Sequence, residues 1–160
     1  MSGKMDASGK RIAVIVSRWN ELVTKALTEG ATATLQTANA STVTVIHVPG
    51  TWEIPVVARN LLETGEVDGI VALGCILQGA TTHAAMLAGD VSAALMSLQS
   101  QTGVPIAWGV LTPENQEQAL ERSGMKLGNK GREAASALVE TLSVLDQLRR
   151  QSGENVKKKR

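Results

Sequence analysis

The sequence predicts an α/β fold in which a parallel sheet of about four strands is flanked by helices on both faces. Short apolar runs alternate along the chain with stretches in which apolar residues recur every three or four positions. The apolar runs carry few polar residues on either side, which is typical of strands buried between two helical layers. A chain of 160 residues can form such a domain without a disulfide or a metal.

The strands are predicted from these apolar runs at 11–17, 42–48, 67–74 and 104–110. A further short strand near the N-terminus cannot be assigned from the sequence. The first two helices have clear boundary signals: Asn20 is expected to cap a helix that reaches about Gln36, and Pro55 falls in the first turn of one that ends near Gly65. The later helices are predicted at 83–102, from Thr112-Pro113-Glu114 to Gly124, and from Lys130 to Arg150.

We expect one domain over residues 11–150, with an N-terminal segment at 1–10 and a polar tail at 151–160 that ends in KKKR. The tail is expected to be solvated and disordered, and contact with an anionic surface or cargo is the alternative. The first apolar run, Ile12 to Val16, is much shorter than the ~20 residues of a membrane span. No membrane association is therefore expected.

The charge balance and the few sulfur and imidazole groups argue against several classes of function. Sixteen basic and fifteen acidic residues give a formal net charge of +1. The chain therefore lacks the excess positive charge typical of nucleic-acid-binding domains. A single cysteine excludes an internal disulfide, and one thiol with two histidines gives too few soft ligands at suitable spacing for a zinc site. We expect a cytoplasmic protein without a metal.

The segment from Val67 to His83 is the most informative part of the chain, because a buried strand leads there into a glycine, two threonines and a histidine. Thr81 or Thr82 is expected to cap the following helix, whose free N–H groups can hold a phosphate or carboxylate. His83 falls in its first turn and can exchange protons near neutral pH. A histidine that caps the helix or is satisfied in the core is the alternative.

The aromatic residues also indicate a ligand site. The chain has three tryptophans and neither phenylalanine nor tyrosine. Trp19, Trp52 and Trp108 each lie at or just after the predicted C-terminal end of a strand, the edge where open α/β sheets bind ligands. Each could instead fill core volume, but three at one edge favour a flat ligand that stacks on indole.

The remaining reactive side chains allow two interpretations each. Cys75 is expected to be a small buried residue, since no neighbouring base is evident that would activate it as a nucleophile, and His47 is expected to be structural. Arg122 and Lys130 flank the segment SGMKLGN. They are either solvated surface charges or, if this loop folds back, counter-charges for a phosphate.

Several motifs occur in the order found in one enzyme family: SRWNELVTKAL, VPGTWEIP, ALGCILQGATTH, TGVPIAWGVLT, EQALERSG and GNKGREAA. Over nearly all of Arg11 to Leu148 the chain resembles the lumazine synthases. The resemblance implies a flavodoxin-like, three-layer α/β/α sandwich. It also implies condensation of 5-amino-6-(D-ribitylamino)uracil with 3,4-dihydroxy-2-butanone 4-phosphate to 6,7-dimethyl-8-ribityllumazine, without a cofactor.

The resemblance further implies a role for each candidate residue. His83 would donate and accept protons, Trp19 would stack on the pyrimidine, and Trp108 would be a second aromatic at the ring site. The other residues expected to bind substrate are Thr51, Trp52, Glu53, Cys75, Ile76 and Leu77 for the pyrimidine and ribityl chain, and Ala80, Thr81, Arg122 and Lys130 for the phosphate.

A homo-oligomer is also implied, at least a pentamer, with each site made by two neighbouring subunits and riboflavin synthase as an expected protein partner. In this family, strictly pentameric or decameric members often carry extra residues in the turn between the last two helices. The turn here, from Ser123 to Gly131, has no insertion and keeps Gly128 and Gly131, so the resemblance implies a closed icosahedral shell of about 60 subunits.

The chain departs from the family pattern in two places. Ala84, Ala85 and Met86 replace the usual aromatic–acid–aromatic run after the histidine, and Gln78 replaces a commonly basic residue. A catalytically weak member that binds flavin or lumazine or forms a cage is therefore one alternative. A generic flavodoxin-like phosphate- or nucleotide-binding module is another, but it leaves Trp19, Glu53 and Arg122 unexplained.

Overall fold

The computed structural model describes residues 1–78 and 82–158, with side chains up to residue 152. Within these residues the strands form one parallel sheet in the order β2-β1-β3-β4. The strands are β1 (Arg11–Ser17), β2 (Thr42–Val48), β3 (Gly69–Cys75) and β4 (Ile106–Leu111). The helices are α1 (Glu21–Thr37), α2 (Ile54–Thr64), α3 (His83–Thr102), α4 (Gln116–Arg122) and α5 (Lys130–Lys158), with a short 3-10 turn at Thr51–Glu53.

The two faces of the sheet bury separate apolar clusters. Val14 and Val16 of β1 pack on the side of α1 and α5, whereas Ala13 and Ile15 pack on the side of α2 and α3. Every residue of β3 is buried. This alternation confirms the predicted three-layer α/β/α sandwich, and the strand order is that of flavodoxin-like folds.

The sheet order also determines where a ligand site can form. The chain leaves β1 toward α1 on one face and leaves β3 toward α3 on the other. Because β1 and β3 are neighbours, the chain diverges at their carboxyl ends and opens a crevice there, the usual binding position in such sheets.

One predicted helix cap and one predicted helix start were wrong. Asn20 precedes α1, but it adopts a left-handed backbone conformation and makes no capping bond; its side-chain amide instead donates to the Cys75 carbonyl oxygen at 2.8 Å. Helix α4 begins at Gln116 rather than near Thr112, because Asn115 provides the cap by accepting from the Gln118 N–H at 2.9 Å. It ends at Arg122, just before Gly124.

The last predicted helix was too short. Helix α5 continues to Lys158, eight residues beyond the predicted end, and the disorder of the tail stays a prediction. Adding residues to the end of a formed helix costs little free energy. The sequence therefore gives no clear signal for where α5 ends. Strands β3 and β4 begin two residues later than predicted, and β1, β2 and α3 match the prediction.

The N-terminal segment packs against the domain. Ala7 is fully buried and donates its N–H to the Ala38 carbonyl at 2.7 Å, and Ser8 forms an isolated antiparallel bridge with Ala40. Among the described residues, no helix combines the length and the apolar character that crossing a membrane requires.

Candidate active site

Two tryptophans form an exposed surface at the carboxyl ends of β1 and β2, which we call the aromatic ledge (Trp19 and residues 50–53). Trp19 is 65% exposed and Trp52 is 61% exposed. A side chain at Gly50 would place its Cβ 2.7 Å from the ring atom Cζ3 of Trp19. The indole therefore lies against the main chain at Gly50, and only glycine allows this close approach.

The polar part of the ledge is held in place by local bonds. The Gly50 N–H donates to Glu53 Oε2 at 2.9 Å, which fixes that carboxylate beside the Trp19 ring. Thr51 is buried, and its methyl group lies where a Cβ of Gly74 would be. Gly74 thus lets the 3-10 turn dock onto the end of β3, and three predicted substrate contacts, Thr51, Trp52 and Glu53, are brought to the crevice.

The floor of the crevice is the end of β3. Cys75 is buried, and burial raises the pKa of its thiol to about 11, so the thiolate needed for nucleophilic attack is scarce at neutral pH. The Cys75 carbonyl accepts from Asn20, and the Ile76 N–H donates to the Leu111 carbonyl at 2.8 Å. Two of the backbone groups expected to bind the pyrimidine are thus already bonded within the chain.

Ser17 ends β1 in the same floor, and sequence reasoning did not identify it. Its hydroxyl oxygen is buried and has no hydrogen-bond partner among the described residues, and it lies 3.0 Å from the position of a Cβ on Gly74. The sequence signal that could have identified Ser17 is a hydroxyl residue at the end of an otherwise apolar strand.

His83 is the first residue of α3 and is exposed to solvent. Thr82 precedes it but makes no side-chain capping bond, so the predicted capping by Thr82 is wrong. Gly79, Ala80 and Thr81, the predicted anion cradle, lie outside the described residues. The chain enters this segment from Gln78, whose N–H donates to the Pro113 carbonyl and whose amide donates to the Thr112 carbonyl, at 2.9 and 3.1 Å.

Arg122 and Lys130 come together at the end of β4, and their role as counter-charges for a phosphate stays a prediction. They line a cavity of about 360 Å³, which we call the cationic cavity; its other lining residues are Val110, Leu111, Thr112, Leu127 and Glu133. Lys130 Nζ lies 3.3 Å from Glu133 Oε2, and Arg122 makes no ion pair within the part of the chain that is described. An anion here would meet two positive charges and one negative charge.

Trp108 does not join the ledge, and its predicted position at a strand end was wrong. It lies in the middle of β4, opposite Ala72 of β3, and faces α3. Leu95, Met96 and Gln99 line a cavity of about 150 Å³ beside it. The strand starts and ends later than the sequence predicted, which moves the tryptophan inward.

The structure therefore divides the candidate residues into three groups. The ledge belongs to β1 and β2, the cationic cavity to β4, and Trp108 to the α3 side of β4. Since β3 separates β1 from β4, two strand spacings, about 10 Å, separate the ends of those strands. The three groups therefore lie at separate places in one chain, and Trp108 lines a different cavity from the two cations.

The comparison with known families identifies the chain. The family model for 6,7-dimethyl-8-ribityllumazine synthase matches residues 9–146. The chain belongs to this family. It is 40% identical over 150 residues to the 6,7-dimethyl-8-ribityllumazine synthases of Nitratidesulfovibrio vulgaris strain DP4 and strain Hildenborough, covering 92% of this chain and 96% of each relative.

In this member of the lumazine synthase family, the described residues contain no group of three or more histidine, cysteine, aspartate or glutamate side chains that could hold a metal ion. Sequence reasoning found the ledge and both cations of the cavity. It missed Ser17 and Asn129, a buried residue beside the cavity. The signal for Asn129 was an asparagine placed directly before a helix, the position of an N-cap.

Proposed function

We propose that this chain condenses 5-amino-6-(D-ribitylamino)uracil with 3,4-dihydroxy-2-butanone 4-phosphate to give 6,7-dimethyl-8-ribityllumazine, releasing phosphate and water. The observation that carries the proposal is the match to the lumazine synthase family across residues 9–146. The aromatic ledge and the cationic cavity support it, since one substrate is a flat ring and the other carries a phosphate.

The pyrimidine binds at the ledge. Trp19 offers an exposed indole whose position is set by its contact with Gly50, and an offset stack on such a ring contributes about 0.5 to 1.5 kcal/mol. Glu53 presents a carboxylate already oriented by the Gly50 N–H, which can accept from ring N–H or ribityl hydroxyl groups. Trp52, Thr51 and the chain from Cys75 to Leu77 complete this half of the site.

The phosphate binds between the predicted cradle, Ala80 and Thr81, and the cations Arg122 and Lys130. Arginine binds phosphate through two parallel N–H donors, whereas lysine acts as a compact charge. Glu133 pairs with Lys130 at 3.3 Å, which keeps the lysine at the cavity until a more strongly charged phosphate competes for it.

His83 exchanges protons with the reacting groups. The 5-amino group attacks the ketone to give a carbinolamine and, with loss of water, an imine. Phosphate is then eliminated and the ring closes with loss of a second water. An imidazole assists such proton transfers near neutral pH by about a hundred- to ten-thousand-fold, and holding the two substrates together supplies much of the remaining rate. No cofactor is needed.

The working form is a homo-oligomer, at least a pentamer, in which the ledge of one subunit meets the cationic cavity and Trp108 of the next. The separation of these groups within one chain supports this arrangement. The uninterrupted turn between Ser123 and Gly131 favours closed icosahedral shells built from pentamers. A cytoplasmic location and association with riboflavin synthase stay predictions.

The direct test is to mix the purified protein with both substrates and follow the absorbance and green fluorescence of the lumazine. Product should form at a rate proportional to enzyme concentration and well above the uncatalysed rate. Light scattering on the same sample reports the assembly. A flat trace from assembled protein would contradict the enzyme and leave a lumazine-binding or cage-forming role, whereas active protein of pentamer or decamer mass would contradict only the shell.

A further inference from the structure

We infer that Asn129 is a positioning residue that sets Arg122 and Lys130 for phosphate and thereby determines selectivity for the phosphate-bearing substrate. The inference rests on the proposed function for the identity of that substrate. It rests on the geometry of the chain for the role of Asn129, which lies next to Lys130 in sequence and is only 9% exposed.

Every hydrogen-bonding group of the Asn129 side chain has a partner. Its amide nitrogen donates to the Ala26 carbonyl of α1 at 3.0 Å and to the Ser123 carbonyl at 2.9 Å. Its amide oxygen accepts from the Arg132 N–H at 3.1 Å, in the first turn of α5. One buried side chain thus joins α1, the residue after α4, and the start of α5.

These bonds control the spacing of the two cations. Ser123 directly follows Arg122, and Asn129 directly precedes Lys130. Ser123 and Asn129 also form an antiparallel bridge, so the loop between them is closed at its base. Because the bond from Asn129 to Ser123 spans this base, it fixes the two cation-bearing backbones relative to each other.

Two glycines let the loop base approach α1 closely enough for these bonds. A Cβ on Gly30 would lie 2.5 Å from Oδ1 of Asn129. A Cβ on Gly131 would overlap the Leu27 carbonyl oxygen. Arg122 is exposed and Lys130 is partly exposed, whereas the backbones next to both are held by the buried Asn129 amide. This arrangement is typical of a site whose charges must be placed before the ligand arrives.

Two variants test the role by different routes. Asn129→Ala removes the bonds, whereas Gly30→Ala keeps the asparagine but displaces its amide, because the added methyl group would lie 2.5 Å from Oδ1; alanine itself favours helix α1. Asp68→Asn serves as control, because it weakens a hydrogen-bonded ion pair with Arg11 at the opposite end of the sheet. The readouts are the KM of each substrate, binding of inorganic phosphate by calorimetry, and thermal unfolding.

For Asn129→Ala we expect KM for the butanone phosphate and Kd for inorganic phosphate to rise about fivefold to twentyfold, since misplaced donors lose part of a charge-assisted contact. For Gly30→Ala we expect a rise of about twofold to fivefold on the same grounds. KM for the pyrimidine should change less than twofold in both variants, and Asp68→Asn should change neither KM.

A purely structural role would lower the unfolding temperature and alter both KM values together, and this result in Asn129→Ala would overturn the inference. If Asn129→Ala does not fold, the test rests on Gly30→Ala. Unchanged phosphate affinity of the Gly30→Ala protein would then overturn the inference. Wild-type protein that binds phosphate without turnover contradicts the proposed function only, because the phosphate measurement still tests Asn129. Wild-type protein that neither forms product nor binds phosphate overturns both, whereas active protein that binds no phosphate leaves the proposed function standing and is tested through the KM values alone.

Discussion

The aromatic ledge and the cationic cavity are built in opposite ways. The ledge consists of residues that directly follow β1 and β2, held by glycine contacts and by the bond from Gly50 to Glu53. The cavity brings together cations that lie eight positions apart in sequence, one ending α4 and one beginning α5. In the proposed function, close packing holds the ledge for the ring, and a loop closed at its base holds the cations for the phosphate.

If the substrates bind as proposed, this difference separates their binding energies as well as their positions. A stack on an exposed indole is worth about 1 kcal/mol, whereas a charge-assisted bond to phosphate is worth about 1.5 to 3 kcal/mol. Damage to the cavity should consequently affect one substrate strongly, and damage to the ledge should affect the other more weakly.

The largest change in activity is expected from a mixture of two variant chains, each of which has lost a different half of the proposed site. One chain carries Trp19→Ala with His83→Ala, and the other carries Arg122→Ala with Lys130→Ala. Each alone should be nearly inactive. Co-refolded in equal amounts, they should regain up to about a quarter of the wild-type rate, because that fraction of subunit contacts joins two intact halves. The measurement is product fluorescence.

Mixing the two chains without refolding is the control and should restore nothing. If the co-refolded, mixed oligomers stay inactive, then the ledge and the cavity of one site belong to the same chain. That result would contradict the shared site.

The next largest effect is expected for His83→Ala, which removes the proton-transfer group and leaves both binding halves intact. We expect kcat to fall about a hundred- to ten-thousand-fold with little change in either KM. The pH dependence of kcat between about pH 6 and 8 should flatten as well. Stopped-flow fluorescence across that range checks both points, and a wild-type kcat that is already constant with pH would argue against the histidine.

Arg122→Ala should raise KM for the butanone phosphate about tenfold or more and leave KM for the pyrimidine nearly unchanged, because a charge-assisted phosphate contact is lost. Arg122→Lys is the matched variant and should recover part of the loss, since it restores the charge without the paired donors. Initial rates at varied concentrations of each substrate provide the measurement. Equal weakening of both substrates would show that Arg122 is structural.

Trp19→Ala should have the converse and smaller effect. We expect KM for the pyrimidine to rise about twofold to twelvefold from the loss of one stack, and KM for the phosphate substrate to stay constant. Trp19→Phe should lie close to wild type. The same kinetic series tests this, and a change confined to the phosphate substrate would reverse the assignment of ledge and cavity.

The smallest effect concerns the ion pair of Arg11 and Asp68, at the end of the sheet away from both regions. Hydrogen bonding from Arg11 lowers the pKa of Asp68 below its ordinary value of 3.8. The pair therefore stabilises the folded state above that value, and this stability is lost as pH falls through the lower, folded-state pKa.

Between neutral pH and about pH 3, the urea midpoint of the wild type should fall slightly more than that of Asp68→Asn. Glu63→Gln, in the exposed pair with Arg59, should not differ from wild type in this slope. Parallel slopes for all three proteins would contradict the contribution of Asp68.

Most strands and helices of this chain could be predicted, because their bounds follow from the apolar pattern of neighbouring residues. The apolar runs of β1 and β2 and the helix from His83 to Thr102 match the structure, as their patterns follow burial on the faces of the sheet. Predictions failed in detail where other contacts competed. Asn20 precedes α1 as predicted, but its side chain bonds to Cys75 across the crevice instead of capping the helix, and Asn115 rather than Thr112 caps α4.

By itself, the sequence determined the layered fold, the family, the ledge and the identity of the two cations, because these depend on residue type, on spacing and on what directly follows a strand. Only the tertiary structure decided that Trp108 faces α3 rather than the ledge, and that a buried asparagine spans the loop between Arg122 and Lys130. The physical reason is that strand register and the partners of a buried amide are set by contacts between residues far apart in the chain. Asn129 reaches Ala26 across 103 positions, a pairing that no local pattern records.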